Sequence, residues 1–162
     1  MRLVSKRVLL LTTIVPALVA SCSSPHIEES LGARPEQVDE SEARRLISAY
    51  RLANGRSALV LDPALEQAAA AQAMAMAQTN TLSHTVAGTL GERLDAAHII
   101  NKAAAENVSA GYSTLADAIA GWRRSPAHNA NLLYPPMQRM GIGSAYVKNS
   151  KYHVYWSLIL AD

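Results

Sequence analysis

Two imidazoles and one carboxylate stand where this chain has chemistry to offer: His84 in "TNTLSHTVAGT", Glu106 in "AENVSAGYST" and His128 in "GWRRSPAHNANLL". All three fall at junctions between expected elements, where side chains from distant parts of a chain converge on a cleft. Two histidines with one acid are the ligand set of a three-ligand catalytic zinc site, which keeps a fourth position for water. A hydrogen-bonded His/Glu cluster that ties loops together needs the same residue types. Spacing does not choose between them, and His128 alone suits a buried structural imidazole, a metal ligand or a general base.

The elements that must position these residues follow from periodicity. Ser41 is the expected N-cap of a first helix, with Ala43, Leu46, Ile47 and Tyr50 on one face and Asn54-Gly55 as its stop. Asp62 caps a second helix, Pro63 takes its first position, and Leu65, Ala69, Gln72, Ala73 and Met76 trace its inner face to about Thr79. The alanines of that run allow neighbouring elements to come close. Met74 and Met76 point to different faces of the helix and read as core filling rather than a soft-metal box. His84 lies in the next loop, followed by a short helix around Leu90 to Ala97. A short strand through Glu106 then leads to a helix capped by Ser113 or Thr114, with Leu115, Ile119 and Trp122 facing inward. His128 is expected in the turn after that helix. "MGIGSAYV" and "YHVYWSLILA", joined by "KNSK", read as an antiparallel hairpin. Helices come early and strands late, which is the α+β class.

Composition narrows the function. With 162 residues, 49% hydrophobic and 17% charged, the chain suits one compact domain. Of its 15 Lys and Arg, three (Arg2, Lys6 and Arg7) precede an apolar run, leaving 12 against 13 acids, a net of −1. Nucleic-acid binding needs clustered cations, so that class is set aside. "MRLVSKR" followed by "VLLLTTIVPALVA" is a basic n-region and an apolar h-region too short for a comfortable membrane span, so residues 1–21 read as an export signal. "LVASC" resembles the lipobox of bacterial lipoproteins, in which the cysteine sulfur is diacylated, the signal is cleaved before it and the new amine is acylated. Cys22 is the sole cysteine, which excludes an intrachain disulfide. Several acyl chains anchor stably where one is marginal. Residues 22–40, rich in Ser, Pro and acids and including His26, are expected to be a flexible tether, with the folded domain from Ser41 to Asp162.

Across Leu46 to Ala161 the order of motifs resembles the CAP superfamily, the SCP or cysteine-rich secretory protein family, in its cysteine-poor bacterial form. The matching segments are "YRLANG", "LDPALEQAAAAQAMAMA", "LSH", "GERL", "AENVSAG", "WRRSPAHNANLL", "MGIGSAYV" and "YWSLILA". The resemblance implies an α-β-α sandwich with a three-stranded antiparallel sheet between helices. It also implies a cleft of two histidines and two acids, with divalent cations held through the histidines in some members. Carried over by position, His84 and His128 are the histidines and Glu106 is the acid of the "EN" motif. The second acid has no counterpart, because Ser125 stands there, and Ser48 stands where members often carry Asn three residues before the arginine matched by Arg51.

These readings lead to an expectation of a lipid-anchored module outside the cytoplasm, tethered to a membrane through Cys22. It would bind a small apolar ligand, an envelope component or a partner protein, with His84 and His128 available to a divalent cation such as zinc. The alternatives are a metal-assisted hydrolase of peptide or cell-wall substrates with Glu106 as base, and an envelope scaffold without ligand. Asn107 and Asn129 are expected to bond loop backbone, Glu92 and Arg93 to brace a loop or the surface, and Tyr112, Tyr146, Tyr152 and Tyr155 to pack on the sheet face, with pocket lining as the alternative.

Overall fold

The computed structural model describes residues 32–162. The expected signal, Cys22 and His26 lie outside the described residues. The chain runs through β1 (Arg34–Glu36), α1 (Glu40–Ala53), β2 (Val60–Leu61), α2 (Pro63–Thr79), α3 (Leu90–Ala96), β3 (Ala104–Ala110), α4 (Leu115–Arg124), α5 (Pro126–Leu132), β4 (Arg139–Tyr146) and β5 (Val154–Ala161). Long antiparallel strands β4, β5 and β3 form the body of the sheet, in the order β1-β4-β5-β3. The sheet is larger than the three strands expected. β1 pairs antiparallel with one end of β4, and β2 pairs parallel with its other end, so both short strands cap the same edge.

The start of the domain also differs from the expected boundary. Asp39, not Ser41, caps α1, its side chain accepting the Glu42 N–H at 2.9 Å. An aspartate serves an N-cap as well as a serine does, and the two acids that follow it favour the positive end of the helix dipole. The ordered chain therefore reaches back into the segment expected as tether, where Arg34, Pro35 and Glu36 pair with Tyr146, Ala145 and Ser144. The second helix starts as expected, with Asp62 accepting from the Ala64 and Leu65 amides and Pro63 in the first turn.

Strand alternation builds the three layers. On β5, Trp156, Leu158 and Leu160 join Ala43, Ile47, Ile119, Trp122 and Leu132 from α1, α4 and α5 on one face. Tyr155, Ile159 and Ala161 turn to α2 and α3 on the other. A sheet covered on both faces explains why "VYWSLILA" is a nearly continuous apolar run. The alanines of α2 matter through β4: a Cβ added to Gly141 would overlap the backbone of Leu65 and Glu66, and one on Gly143 the backbone of Ala70. This helix and strand touch main chain to main chain.

Candidate functional site

β3 is the last strand of the sheet, so chain from both faces can meet around its outer edge. The consecutive pair Glu106-Asn107 sits there, and period-two alternation sends the two side chains to opposite faces. Glu106, paired with Ile159, faces the α2 and α3 side; Asn107, paired with Leu158, faces the α5 side. Each side chain collects one histidine's segment.

On the first side, His84 Nδ1 lies 2.8 Å from Glu106 Oε2. The other carboxylate oxygen accepts from Arg93 Nη2 at 2.8 Å and from Ser157 Oγ at 3.3 Å. Glu106 and Arg93 form a buried ion pair, with side chains 3% and 8% exposed, whereas the His84 side chain is 55% exposed. The Arg93 fork also donates to the carbonyls of Gly88 and His84, at 3.2 and 3.3 Å. Gln72, buried on α2, donates to the carbonyl of Ser83 at 2.8 Å. The loop carrying His84 is thus fixed by an arginine from α3 and an amide from α2.

On the second side, His128 rides on a helix rather than in a turn. Ser125 is extended, as a residue before proline tends to be, and Pro126 starts a new helix at its first turn, so "PAHNANL" forms α5 separately from α4. Asparagines bolt α5 to its neighbours. Asn107 donates to the carbonyl of His128 at 3.0 Å, Asn131 donates to the Glu106 carbonyl and to Asn107 Oδ1, and Tyr50 on α1 donates to Asn129 Oδ1. Asn107 therefore bonds backbone as expected, while Asn129 takes a side-chain partner. Burial of the half-buried His128, and then the nearby charge of His84, hold its pKa below the usual imidazole value. That favours the neutral form a metal ligand must have.

The structure brings His84, Glu106 and His128 to one edge of the sheet, but in unequal roles. Both oxygens of Glu106 are engaged by protein donors, and among the described residues no group of three or more His, Cys, Asp or Glu side chains is placed to hold a metal. The arrangement is therefore not a His-His-Glu ligand triad: Glu106 stands behind the His84 ring as its hydrogen-bond partner. A base role for Glu106 meets the same engagement. Arg93 braces the loop of His84 as expected, but its ion pair with Glu106 was not anticipated. Its partner in "GERL" is not Glu92, which closes a capping box with Thr89 at the start of α3. Ser48, at the other departure from the family pattern, accepts the Leu59 N–H at 3.0 Å, and Ser125 occupies the α4–α5 corner.

The profile of the cysteine-rich secretory protein family, CAP, matches residues 44–160. The chain belongs to this family. Its fold is shared with an extracellular SCP-domain protein of Bacillus anthracis, at 25% identity and a TM-score of 0.66 over 75% of this chain. An outer surface protein of Borrelia burgdorferi matches at 19% identity and 0.66 over 80%, and a cysteine-rich secretory protein of Staphylococcus aureus at 22% and 0.59 over 75%. The CAP chain spans 98% of the Borrelia protein but only 39% and 37% of the Bacillus and Staphylococcus proteins. No curated protein matches by sequence.

Beside the cleft, this CAP domain carries an open groove of about 420 Å³ between α2 and α3. Ala64, Gln67, Ala68 and Ala71 form one stripe of α2, and Arg93 and Ala96 of α3, with Ala97 just past its end, form the facing side. Arg93 thus borders the groove and holds Glu106.

Proposed function

We propose that the chain is an extracytoplasmic, lipid-anchored CAP module that binds rather than hydrolyses, taking a divalent cation such as zinc at His84 and His128. The observation that carries this reading is the engagement of Glu106 by Arg93, Ser157 and His84. A carboxylate occupied in this way serves to orient an imidazole, whereas a general base must be within reach of the proton it abstracts. The alanine-walled groove supports a small apolar molecule as a second ligand, since its volume is of the size small-molecule sites use and methyl groups dominate its walls. The similar proteins of Bacillus and Borrelia, described as extracellular and as an outer surface protein, support placement outside the cytoplasm. The lipobox at Cys22 supports tethering there.

Calorimetric titration of the full chain with zinc at neutral pH tests the cation site. Wild type is expected to bind and the His84→Ala, His128→Ala double variant to lose most of that binding. Equal affinity in both would remove the shared site. Fluorescence of an anilinonaphthalene sulfonate probe, titrated with wild type and with Ala68→Trp, tests the groove: the bulky indole is expected to abolish probe binding, and unchanged binding places the probe elsewhere.

A further inference from the structure

We infer that Arg93 is the positioning residue of the cleft: by claiming one oxygen of Glu106, it makes the other fix His84 as the Nδ1–H tautomer, with Nε2 left as the free lone pair. The inference deepens the cation-binding reading and rests on it only for its consequence. A carboxylate offers acceptors alone, so at the 2.8 Å contact the proton belongs to His84 Nδ1. A neutral imidazole carries one N–H, which leaves Nε2 bare. Nδ1 is turned to a buried carboxylate, while the side chain as a whole is 55% exposed.

Arg93 decides which way the acid faces. Its Nη2 contacts Glu106 Oε1 and the His84 carbonyl, and its Nε contacts the Gly88 carbonyl, so one planar group sets both the carboxylate and the backbone that carries the imidazole. A lysine, with one ammonium on a flexible stem, does not reproduce that fork. Arg93 has only donors, so the atom facing it at position 106 must be an acceptor. Ser157 either donates or accepts and imposes no preference.

Glu106→Gln reads this out without touching Arg93. An amide has one acceptor and one donor end. If Arg93 dominates, the amide oxygen faces Arg93, the NH₂ faces His84 Nδ1, and the ring must change tautomer. Long-range proton–nitrogen correlation spectra of the full chain, metal-free, ¹⁵N-histidine-labelled and held at pH 8, report which ring nitrogen carries the proton. Wild type is expected to show Nδ1–H at His84, and Glu106→Gln is expected to move the proton to Nε2. Zinc affinity should then fall about 10- to 100-fold although neither imidazole has been removed. A wild-type His84 protonated at Nε2, or a variant that keeps Nδ1–H, overturns the inference. Should Glu106→Gln not fold, Arg93→Lys gives the second reading: without the fork that aims the carboxylate the Nδ1–H contact of His84 is expected to loosen, letting the Nε2–H tautomer gain population, and a spectrum identical to wild type overturns the role. Wild type with Nδ1–H but no zinc binding would leave this inference standing and remove the cation site, so the two fail separately.

Discussion

Nη1 of Arg51 lies 2.6 Å from the carbonyl oxygen of Leu132, a bond between α1 and the end of α5 across 81 positions of sequence. The same guanidinium donates to the carbonyls of Ser57, Tyr134 and Met137 at 2.8, 3.1 and 2.8 Å, and Arg51 is fully buried. A single cation therefore gathers the chain before β2 and the chain that leaves α5, holding the helix of His128 against the sheet. Arg51→Met strands the buried carbonyls of Leu132 and Met137, each costing about 1–3 kcal/mol, so a loss of at least about 2 kcal/mol is expected. Arg51→Lys keeps the charge but not the fork and should recover only part of that. Chemical denaturation measures both, and a methionine variant within about 1 kcal/mol of wild type would remove Arg51 from this role.

Trp122 closes the same layer. It is buried among Ile119, Leu132, Met140 and Leu158 on the face that carries α1, α4 and α5. Trp122→Ala is expected to cost about 3–5 kcal/mol, a large part of the stability of a domain this size. A shift below about 1 kcal/mol in denaturant melts would contradict its place in the core.

Much of this arrangement was legible from residue order. Asp62-Pro63 announced α2 because an N-cap acid and a first-turn proline satisfy the same orphan amides in any context. The β4–β5 hairpin and the inward Trp122 followed from periodicity. Three features were not legible. β1 is three residues long and has no core of its own, so its pairing with β4 depends on tertiary contact. α5 is seven residues whose proline start marks a new helix as readily as a turn. Arg93 sits next to Glu92 in sequence, and the neighbour hides the true partner, because Glu106 is 13 positions away on an edge strand. The acid itself was the available signal: a carboxylate expected in a cleft beside imidazoles calls for a cation, and the arginine of "GERL" was one candidate among several.

Anchoring is testable independently of the fold. Cys22 is the sole cysteine of the chain, so Cys22→Ser is expected to abolish incorporation of labelled fatty acid and to block lipoprotein-type processing. A variant that remains acylated and membrane-bound would overturn the lipobox reading.

Acid stability should report on the junction of α2 with the end of β5. Arg139 donates to Asp62 Oδ2 at 2.7 Å, to the carbonyl of Asp162 and to the carbonyl of Ile100, so it joins the start of α2 to the last strand. Burial pushes the Asp62 carboxyl up, but hydrogen bonds from Arg139 and from the Leu65 and Ala64 amides outweigh it, and the pKa lies below the ordinary aspartate value. A group depressed in the folded state binds its proton more readily when unfolded. Its contribution is therefore complete above the unfolded pKa of about 3.9 and is lost as pH falls through the lower folded value. Asp62→Asn isolates the charge, because asparagine still caps a helix. Denaturant midpoints from pH 7 to pH 2 should show wild type more stable at neutral pH, with the difference shrinking below about pH 4 as Asp62 takes its proton. Parallel wild-type and variant curves across the acid range would mean that the Asp62–Arg139 pair contributes nothing to holding α2 against the sheet.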